Sequence, residues 1–380
     1  HSGIVYLRCV RHRGSRPVAA MAHKPASAFT AMMNQRQDWP TDGLESVPAC
    51  PVCGSTSRAL LYEELTDIVF GTAPGRWTLY RCIQCEAAYL DPRPTPSSIG
   101  LAYTHYYTHT TEDSPEGRPK SPLVRLLHGW VNDHFNARYG LTRTPASWGG
   151  RWLIPLVPFF FAKSRAKMRH LTPPLPGGGR LLDVGFGNGS FLKIASEMGW
   201  RAEGIDFDAK AVEVARARDL NVSCTSVSEL AARPCNESYD VITLSHVIEH
   251  VHDPIALLHD LYRLLKPGGR LWLETPNINS LGAVRFKKYW RGLEVPRHLV
   301  LFSPSSLQTS LMNAGFKQIE QHWHGMAALS MYSESGALAH RQDTQEASRQ
   351  IIPSIAAIID EVREMMQPSR REFLTFSARK

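Results

Sequence analysis

The sequence predicts an α/β fold in which a parallel sheet is covered on both faces by helices. Two observations predict it. Apolar strand-like runs alternate with helical segments between residues 181 and 274, and a glycine-rich turn follows the first of these runs. Strict alternation of strand and helix is typical of right-handed crossovers and a doubly wound sheet. In such sheets, ligands bind at the carboxyl ends of the strands.

The glycine turn predicts a nucleoside site. The apolar strand Leu181–Val184 is followed by Gly185, Gly187 and Gly189, where the backbone can approach a ligand with no Cβ in the way. Asp206 lies twenty-one residues beyond Gly185, at the end of the next strand, where a carboxylate can accept both ribose hydroxyls. The last glycine interval is one residue, unlike the dinucleotide pattern G-x-G-x-x-G/A, which disfavours NAD. A glycine-rich turn without a ligand is the alternative.

The elements after this turn keep the alternation. Asp253 and Pro254 supply an N-cap and a first-turn proline for one helix, and Lys266-Pro-Gly-Gly269 ends it. The expected helices are Ser190–Gly199, Ala209–Asp219 and Pro254–Leu265, and the expected strands are Arg201–Ile205, Asn221–Cys224, Tyr239–Leu244 and Arg270–Glu274.

Length and charge limit how the chain can be organised. With 380 residues and 43% apolar content, it can form a core domain and a smaller module. The formal charge of +8 falls to about +3 without the first forty residues, which gives little support to a nucleic-acid partner. We expect residues 1–45 to be a disordered basic tail, 46–92 a metal-binding module, 93–170 a helical lid on the substrate side, and 171–380 the nucleoside-binding domain.

No apolar run reaches the roughly 18 residues that a membrane span needs. The nearest, Trp152–Ala162, is broken by two prolines and followed by basic residues. We expect it to be a buried or lid segment, with a peripheral membrane contact as the alternative. The first residues lack the apolar region of a secretory signal, so we expect a cytoplasmic protein.

Four of the seven cysteines form two C-x-x-C pairs, separated by 28 residues: Cys50, Cys53, Cys82 and Cys85. Two such turns present four thiolates to one ion, so the pattern predicts zinc. The gap contains the strand-like pieces Ala59–Tyr62 and Trp77–Arg81, as a zinc ribbon would. Because four thiolates leave no position for water or substrate, the metal should be structural. A redox dithiol and disulfides are the competing interpretations. Acids slightly outnumber bases from Cys50 to Arg93, which argues against phosphate binding.

Four motifs, occurring in order, resemble the class I S-adenosylmethionine-dependent methyltransferases over roughly residues 170–325. They are Asp183–Gly189, Asp206, Tyr239–His250 and Leu265–Leu273. The resemblance implies a Rossmann-like, seven-stranded sheet, and Glu372–Lys380 is similar to its antiparallel last strand.

The cysteine module and Trp290–Ser303 are more narrowly similar to zinc-ribbon methyltransferases of sugar and envelope-glycan pathways. Phe186 departs from the small residue or cysteine that is common in that group. The sugar C-methyltransferases of the group carry a further C-terminal domain, and no segment of that size follows Phe316. This favours O- or N-methylation over C-methylation, and we expect O-methylation of a small or glycan-linked acceptor.

The resemblance also implies a cofactor site. The glycine turn and Asp183 would hold the amino-acid end of S-adenosylmethionine, Asp206 the ribose, and Phe207 one adenine face. The implied cofactor residues are Asp183, Gly185, Phe186, Gly187, Gly189, Asp206, Phe207, Ser226, Val227, Ser245 and His246.

A hydroxyl acceptor must lose a proton, and imidazole titrates in the useful range. His298 is the first candidate for the base because Pro296–Ser303 resembles the E-H-x-x-Y-F-S stretch of the sugar enzymes. His246 and His250 are next, although they could instead brace the loop through Glu249.

Five aromatic and basic side chains suggest acceptor contacts. Trp290 could stack on a sugar, and Arg291 and Arg297 could grip a phosphate or carboxylate, unless Arg297 pairs with Glu294. Tyr106 and Tyr107 would close the pocket. The remaining alternatives are an O-methyltransferase of quinones or other small molecules, a zinc-ribbon protein that binds or modifies RNA, and a non-catalytic scaffold.

Overall fold

A small antiparallel sheet forms the amino-terminal part of the computed structural model, which describes residues 38–103, 121–234, 238–342 and 353–380. Strands β2 (Arg58–Leu65), β3 (Trp77–Cys82) and β4 (Ala88–Leu90) pair in sequence order. Two short strands, β1 (Leu44–Glu45) and β5 (Arg93–Pro94), form a separate antiparallel pair. The long β2–β3 hairpin between the cysteine pairs agrees with the predicted ribbon.

Residues 38–45 correct the predicted extent of the disordered tail, because they are structured. A 3₁₀ turn spans Thr41–Gly43, and β1 pairs with β5. Trp39 is buried against Trp77, with the ring centroids 5.2 Å apart. Residues 1–37 lie outside the described part of the chain.

Three helices follow, α1 (Pro122–Tyr139), α2 (Gly150–Leu156) and α3 (Pro158–Lys167). Ser121 caps α1, and Gly140, at φ 68°, ends it. The helices agree with the helical region expected before residue 170, but the burial expected for Trp152–Ala162 is largely wrong. Ile154 is buried, whereas Leu156 is 75% exposed.

The main sheet has seven strands, as the sequence predicts. In chain order they are β6 (Arg180–Val184), β7 (Arg201–Asp206), β8 (Val222–Cys224), β9 (Tyr239–Ser245), β10 (Leu265–Pro276), β12 (Lys317–His322) and β13 (Phe373–Arg379); β11 (Val300–Leu301) lies between β10 and β12 in the chain. Their order in the sheet is β12-β13-β10-β9-β6-β7-β8. Strands β6 to β10 are parallel, and β13 is antiparallel to both of its neighbours.

Helices connect these strands and cover the sheet. Asp253 Oδ1 accepts from the Ala256 amide at 2.9 Å and so begins α7 as predicted. The helices after β6 are α4 (Ser190–Glu197), α5 (Ala209–Arg216), α6 (Val227–Ala231), α7 (Pro254–Leu264), α8 (Leu281–Phe286), α9 (Pro304–Asn313), α10 (Ala327–Gln342) and α11 (Pro353–Met366). No helix in the described ranges is long and apolar enough to cross a membrane.

The cysteine module and the chain after β10 share one sheet. β11 pairs with β4, which extends the small sheet to the order β11-β4-β3-β2. The buried Arg297 donates to Asp67 Oδ2 at 3.1 Å and to the Ala102 carbonyl at 2.6 Å. The module is therefore packed onto the segment that follows the fifth parallel strand, Asn277–Ser303.

Candidate active site

The glycine turn follows β6, the strand that lies between β7 and β9 in the sheet. The chain continues to β7 on one side of β6 and later to β9 on the other side. Gly185, Gly187 and Gly189 have φ values of 65°, 57° and 75°, a region that side chains with a Cβ rarely adopt. A Cβ on Gly187 would meet nothing within 4 Å, so the turn is open at its centre. A Cβ on Gly185 would lie 2.5 Å from Val247 Cγ2, so the loop after β9 packs directly on the turn.

Asp183 is a fully buried carboxylate beneath the turn. Its Oδ1 accepts from Arg169 and from the Thr243 hydroxyl, while Oδ2 is buried with no hydrogen-bond partner among the described residues. Burial raises the pKa of Asp183, although Arg169 and Thr243 oppose this. An unsatisfied buried carboxylate oxygen is expensive, and a donor on a bound ligand would satisfy it. Arg169, whose guanidinium lies 3.9 Å from the Phe191 ring centroid, was missed by the sequence analysis.

Asp206 ends β7 at the same edge of the sheet. Its Oδ1 accepts from the Asp208 amide at 2.9 Å, and burial raises its pKa. Phe207 is 74% exposed and presents its ring edge-on to Tyr103 at 6.1 Å. An exposed aromatic ring next to an acid at the end of a parallel strand suits an adenine.

Four of the implied cofactor residues have structural roles here. Ser226 caps α6, because its hydroxyl accepts from the Glu229 amide at 3.1 Å. Val227 and Phe186 are buried in the core. Ser245 pairs with Glu274 across β9 and β10.

His246 is the most exposed histidine in the loop after β9, with 40% of its side chain accessible. Its Nδ1 lies 3.3 Å from Glu249 Oε1 and its Nε2 lies 3.8 Å from Glu274 Oε1. Its φ of 55° is uncommon outside glycine, and such residues concentrate at functional sites. His246 and Glu249 were named from the sequence, but Glu274 was not named as a site residue. The sequence pattern around Glu274 indicates only a strand.

The two carboxylates behind His246 are buried and ionised. Burial works against their charge, but neighbouring histidines outweigh it and lower the pKa of Glu249 and of Glu274 to about 2. Burial also opposes the charge on His246, yet its hydrogen bond to Glu249 and the charges of both acids raise its pKa. His324 Nδ1 and the Thr375 hydroxyl hold Glu274 Oε2 at 2.8 and 2.6 Å.

His298, the first candidate for the base, is 4% exposed. Its Nδ1 donates to the Gly292 carbonyl at 2.7 Å, and burial lowers its pKa to about 4 despite the Glu294 carboxylate. Its ring lies 4.8 Å from that of His250, whose Nδ1 is 3.0 Å from the Arg297 carbonyl. Burial and a low pKa both argue against His298 as the group that accepts a substrate proton.

Potential ligand atoms of Glu249, His250 and His298 lie within 4.8 Å of one another. A carboxylate and two imidazoles are groups that can bind a metal cation. Both Glu249 oxygens are already engaged, however, Oε1 with His246 and Oε2 with the Thr275 hydroxyl. These hydrogen bonds indicate that Glu249 supports the loop after β9.

Burial also argues against two predicted acceptor contacts. Trp290 is 1% exposed and donates to Glu372 Oε2 at 3.0 Å. Arg297 is fully buried and pairs with Asp67, so the predicted alternative partner, Glu294, is wrong. Glu294 pairs with Arg291, which also donates to Glu334. Tyr106 and Tyr107 lie outside the described residues.

The four predicted cysteines come together in one cluster. The Cys50 and Cys85 sulfurs are 3.6 Å apart, the Cys53 and Cys82 sulfurs are 3.5 Å apart, and all four lie within 4.8 Å of one another. Zinc–sulfur bonds of about 2.3 Å in a tetrahedron place sulfurs about 3.8 Å apart. The cluster is consistent with a zinc ribbon.

An open glycine turn, an unsatisfied carboxylate beneath it and an acid at the end of the next strand are typical of nucleoside-binding enzymes of the Rossmann-like class. A model of the methyltransferase domain matches residues 155–321. A ubiquinone biosynthesis O-methyltransferase of Xanthomonas axonopodis pv. citri (strain 306) is 32% identical over 183 residues, which cover 43% of this chain and 76% of that protein. A ubiquinone biosynthesis O-methyltransferase of Xanthomonas oryzae pv. oryzae (strain PXO99A) is 33% identical over 181 residues, or 43% of this chain and 75% of that protein.

Among solved structures, an S-adenosylmethionine-dependent methyltransferase from Archaeoglobus fulgidus aligns with a TM-score of 0.41 and 20% identity, covering 57% of this chain and 92% of that one. The sequence relatives decide the family. The chain belongs to the S-adenosylmethionine-dependent methyltransferases. The cysteine cluster precedes the residues that the family model matches.

Proposed function

We propose that this enzyme methylates a hydroxyl group of a small molecule, with His246 as the general base. The observation that carries the proposal is an accessible imidazole backed by two buried carboxylates, on the loop that packs against the glycine turn. The relatives are ubiquinone biosynthesis O-methyltransferases, which supports a hydroxyl acceptor.

Bound S-adenosylmethionine supplies an electrophilic methyl group, so the protein must orient the acceptor, exclude water and remove one proton. Asp206 would accept from the ribose hydroxyls, and Asp183 Oδ2 would accept from the amino-acid end of the cofactor. Phe207 would lie against the adenine.

His246 would take the acceptor proton on one ring nitrogen while the other donates to Glu249. The resulting imidazolium would be stabilised by Glu249 and Glu274, which stay ionised because their pKa values are about 2. A base held by a third group in this way follows the logic of catalytic triads.

A glycan-linked acceptor has less support than a simpler hydroxyl. The expectation of a glycan acceptor depended on Trp290 and Arg297. Both side chains are hydrogen-bonded inside the protein, Trp290 to Glu372 and Arg297 to Asp67. A hydroxylated aromatic compound, such as a quinone precursor, requires neither contact.

The cysteine cluster, in this proposal, holds one structural zinc ion. Four sulfurs at mutual distances near those of a tetrahedral site support it. The ion would hold the ends of the β2–β3 hairpin beside β4 and so maintain the surface that receives β11.

The proposal is tested with methyl-labelled S-adenosylmethionine and two acceptor panels, hydroxylated aromatic compounds and sugars. We expect an O-methyl ether from the first panel. The His246→Ala variant should lose roughly 10²- to 10⁴-fold in kcat/KM, the usual contribution of a general base. His259→Ala, an exposed histidine on α7, is the matched control.

Two outcomes would overturn the assignment. One is product carrying the methyl group on carbon or nitrogen. The other is full activity in His246→Ala combined with loss of activity in a His298→Ala variant that still binds S-adenosylhomocysteine, which would return the base role to His298.

A further inference from the structure

Helices α2 and α3 expose an apolar surface that the proposed function does not use. The surface consists of Trp148, Trp152, Leu153, Leu156, Val157 and Phe160, and we call it the α2–α3 surface. Trp148 is 81%, Trp152 55% and Leu156 75% exposed. Large exposed apolar groups gathered in one place mark interaction sites, because single proteins in water rarely expose them together.

The two tryptophans belong to one continuous patch. Their ring centroids are 5.2 Å apart, in an edge-to-face arrangement. α1 exposes further apolar side chains, those of Leu123, Val124, Leu126 and Leu127. α1 and α2 cross closely, since a Cβ on Gly150 would overlap the Trp130 carbonyl.

Charge distinguishes this region from an ordinary protein-binding patch. Residues 121–170 contain eight Lys and Arg and a single acid, Asp133. Asp133 is buried and bonded to Arg151, so the exposed charged side chains in the described part of this segment are all basic. Arg151 and Lys163, both exposed, lie within and just after the α2–α3 surface.

Exposed tryptophan and leucine beside Lys and Arg are the composition of segments that lie in a membrane interface. Half of the α2–α3 surface is aliphatic, namely Leu153, Leu156 and Val157, which fits acyl chains better than stacked bases. We propose that the α2–α3 surface docks peripherally on an anionic lipid bilayer, with Trp152 and Leu156 entering the headgroup region and Lys163 contacting lipid phosphates.

The test is flotation of the full chain with two kinds of vesicle, phosphatidylcholine alone and phosphatidylcholine mixed with phosphatidylglycerol. We expect binding to the mixed vesicles only, weakened by added salt. Lys163→Gln should bind about fivefold more weakly, the effect of one basic residue near an anionic surface. Leu156→Ser should lose roughly tenfold or more, from the apolar contact.

Met312→Ser and Lys210→Gln are the matched controls, because each changes an exposed side chain of the same kind on a helix outside residues 121–170. Both should bind vesicles like the parent protein. Binding of S-adenosylhomocysteine by every variant verifies that the fold is intact, and it keeps this test independent of the acceptor.

Several results would overturn the proposal. These are no binding to the anionic vesicles, equal binding to both kinds of vesicle, or unchanged binding by Leu156→Ser. Self-association of the parent protein that Leu156→Ser abolishes would assign the surface to a second copy of the chain. Retention by an RNA oligonucleotide in place of vesicles would assign it to nucleic acid.

Discussion

Individual residues in this protein illustrate how burial decides the role of a reactive group. His246 and His298 are both imidazoles beside glutamates, yet the pKa of His246 is raised and that of His298 is lowered to about 4. Burial opposes the charge on both rings, but the hydrogen bond to Glu249 and the charges of Glu249 and Glu274 outweigh it at His246, whereas Glu294 does not outweigh it at His298. The sequence could place both near the carboxyl ends of the strands, but it contains no measure of how each packs.

One prediction at this scale concerns the pH dependence of methyl transfer. A base works in its neutral form, so kcat/KM should fall as the pH decreases through the raised pKa of His246. Glu274→Gln removes one of the charges that favour the imidazolium and should move this acid limb to lower pH. Glu213→Gln, an exposed acid on α5, should leave the profile in place. An acid limb that does not move in Glu274→Gln would contradict the coupling.

The pairing of secondary-structure elements is only partly predictable from the sequences of the elements themselves. Strand β11, two residues long, completes the small sheet by pairing with β4 across more than two hundred residues. The buried pair of Arg297 and Asp67 connects the same two parts of the chain. The spacing of the cysteines predicted their cluster because two C-x-x-C turns are local features. The spacing could not reveal that the small sheet also contains a strand from more than two hundred residues later in the chain.

The cysteine cluster leads to a prediction at the scale of this element. Metal analysis should find about one zinc per chain, and Cys82→Ser should lose it. Loss of the ion should lower the free energy of unfolding, because metal binding is coupled to folding of the module that packs on β11. Denaturant unfolding monitors this change.

Cys224→Ser is the control for that experiment, since Cys224 is exposed and outside the cluster. It should retain both metal and stability. A Cys82→Ser protein with undiminished zinc would refute the four-thiolate site.

At the largest scale, the described residues from Asp38 to Lys380 belong to one compact unit. Cofactor bound at the glycine turn should therefore stabilise the fold as a unit, by about 2.7 kcal/mol when S-adenosylhomocysteine is present at about 100 times its Kd. This should appear as a rise in Tm. Asp206→Asn, which weakens the bonds to the ribose hydroxyls, should reduce the rise at the same ligand concentration.

Asp219→Asn provides the comparison, because Asp219 is an exposed aspartate outside the proposed site. Its Tm should rise with ligand as in the parent protein. An undiminished shift in Asp206→Asn would remove Asp206 from the cofactor site.

The sequence alone determined the class of sheet, the glycine turn, the order of the strands along the chain and the four clustered cysteines. Each depends on local periodicity or on the spacing of a few residues, which physical chemistry translates directly into structure. Tertiary structure alone decided that Trp290 and Arg297 are buried, that His246 rather than His298 is accessible, and that Trp152 and Leu156 face outward. Burial and pairing over long sequence distances depend on the packing of all elements together, and no single segment of the sequence contains that information.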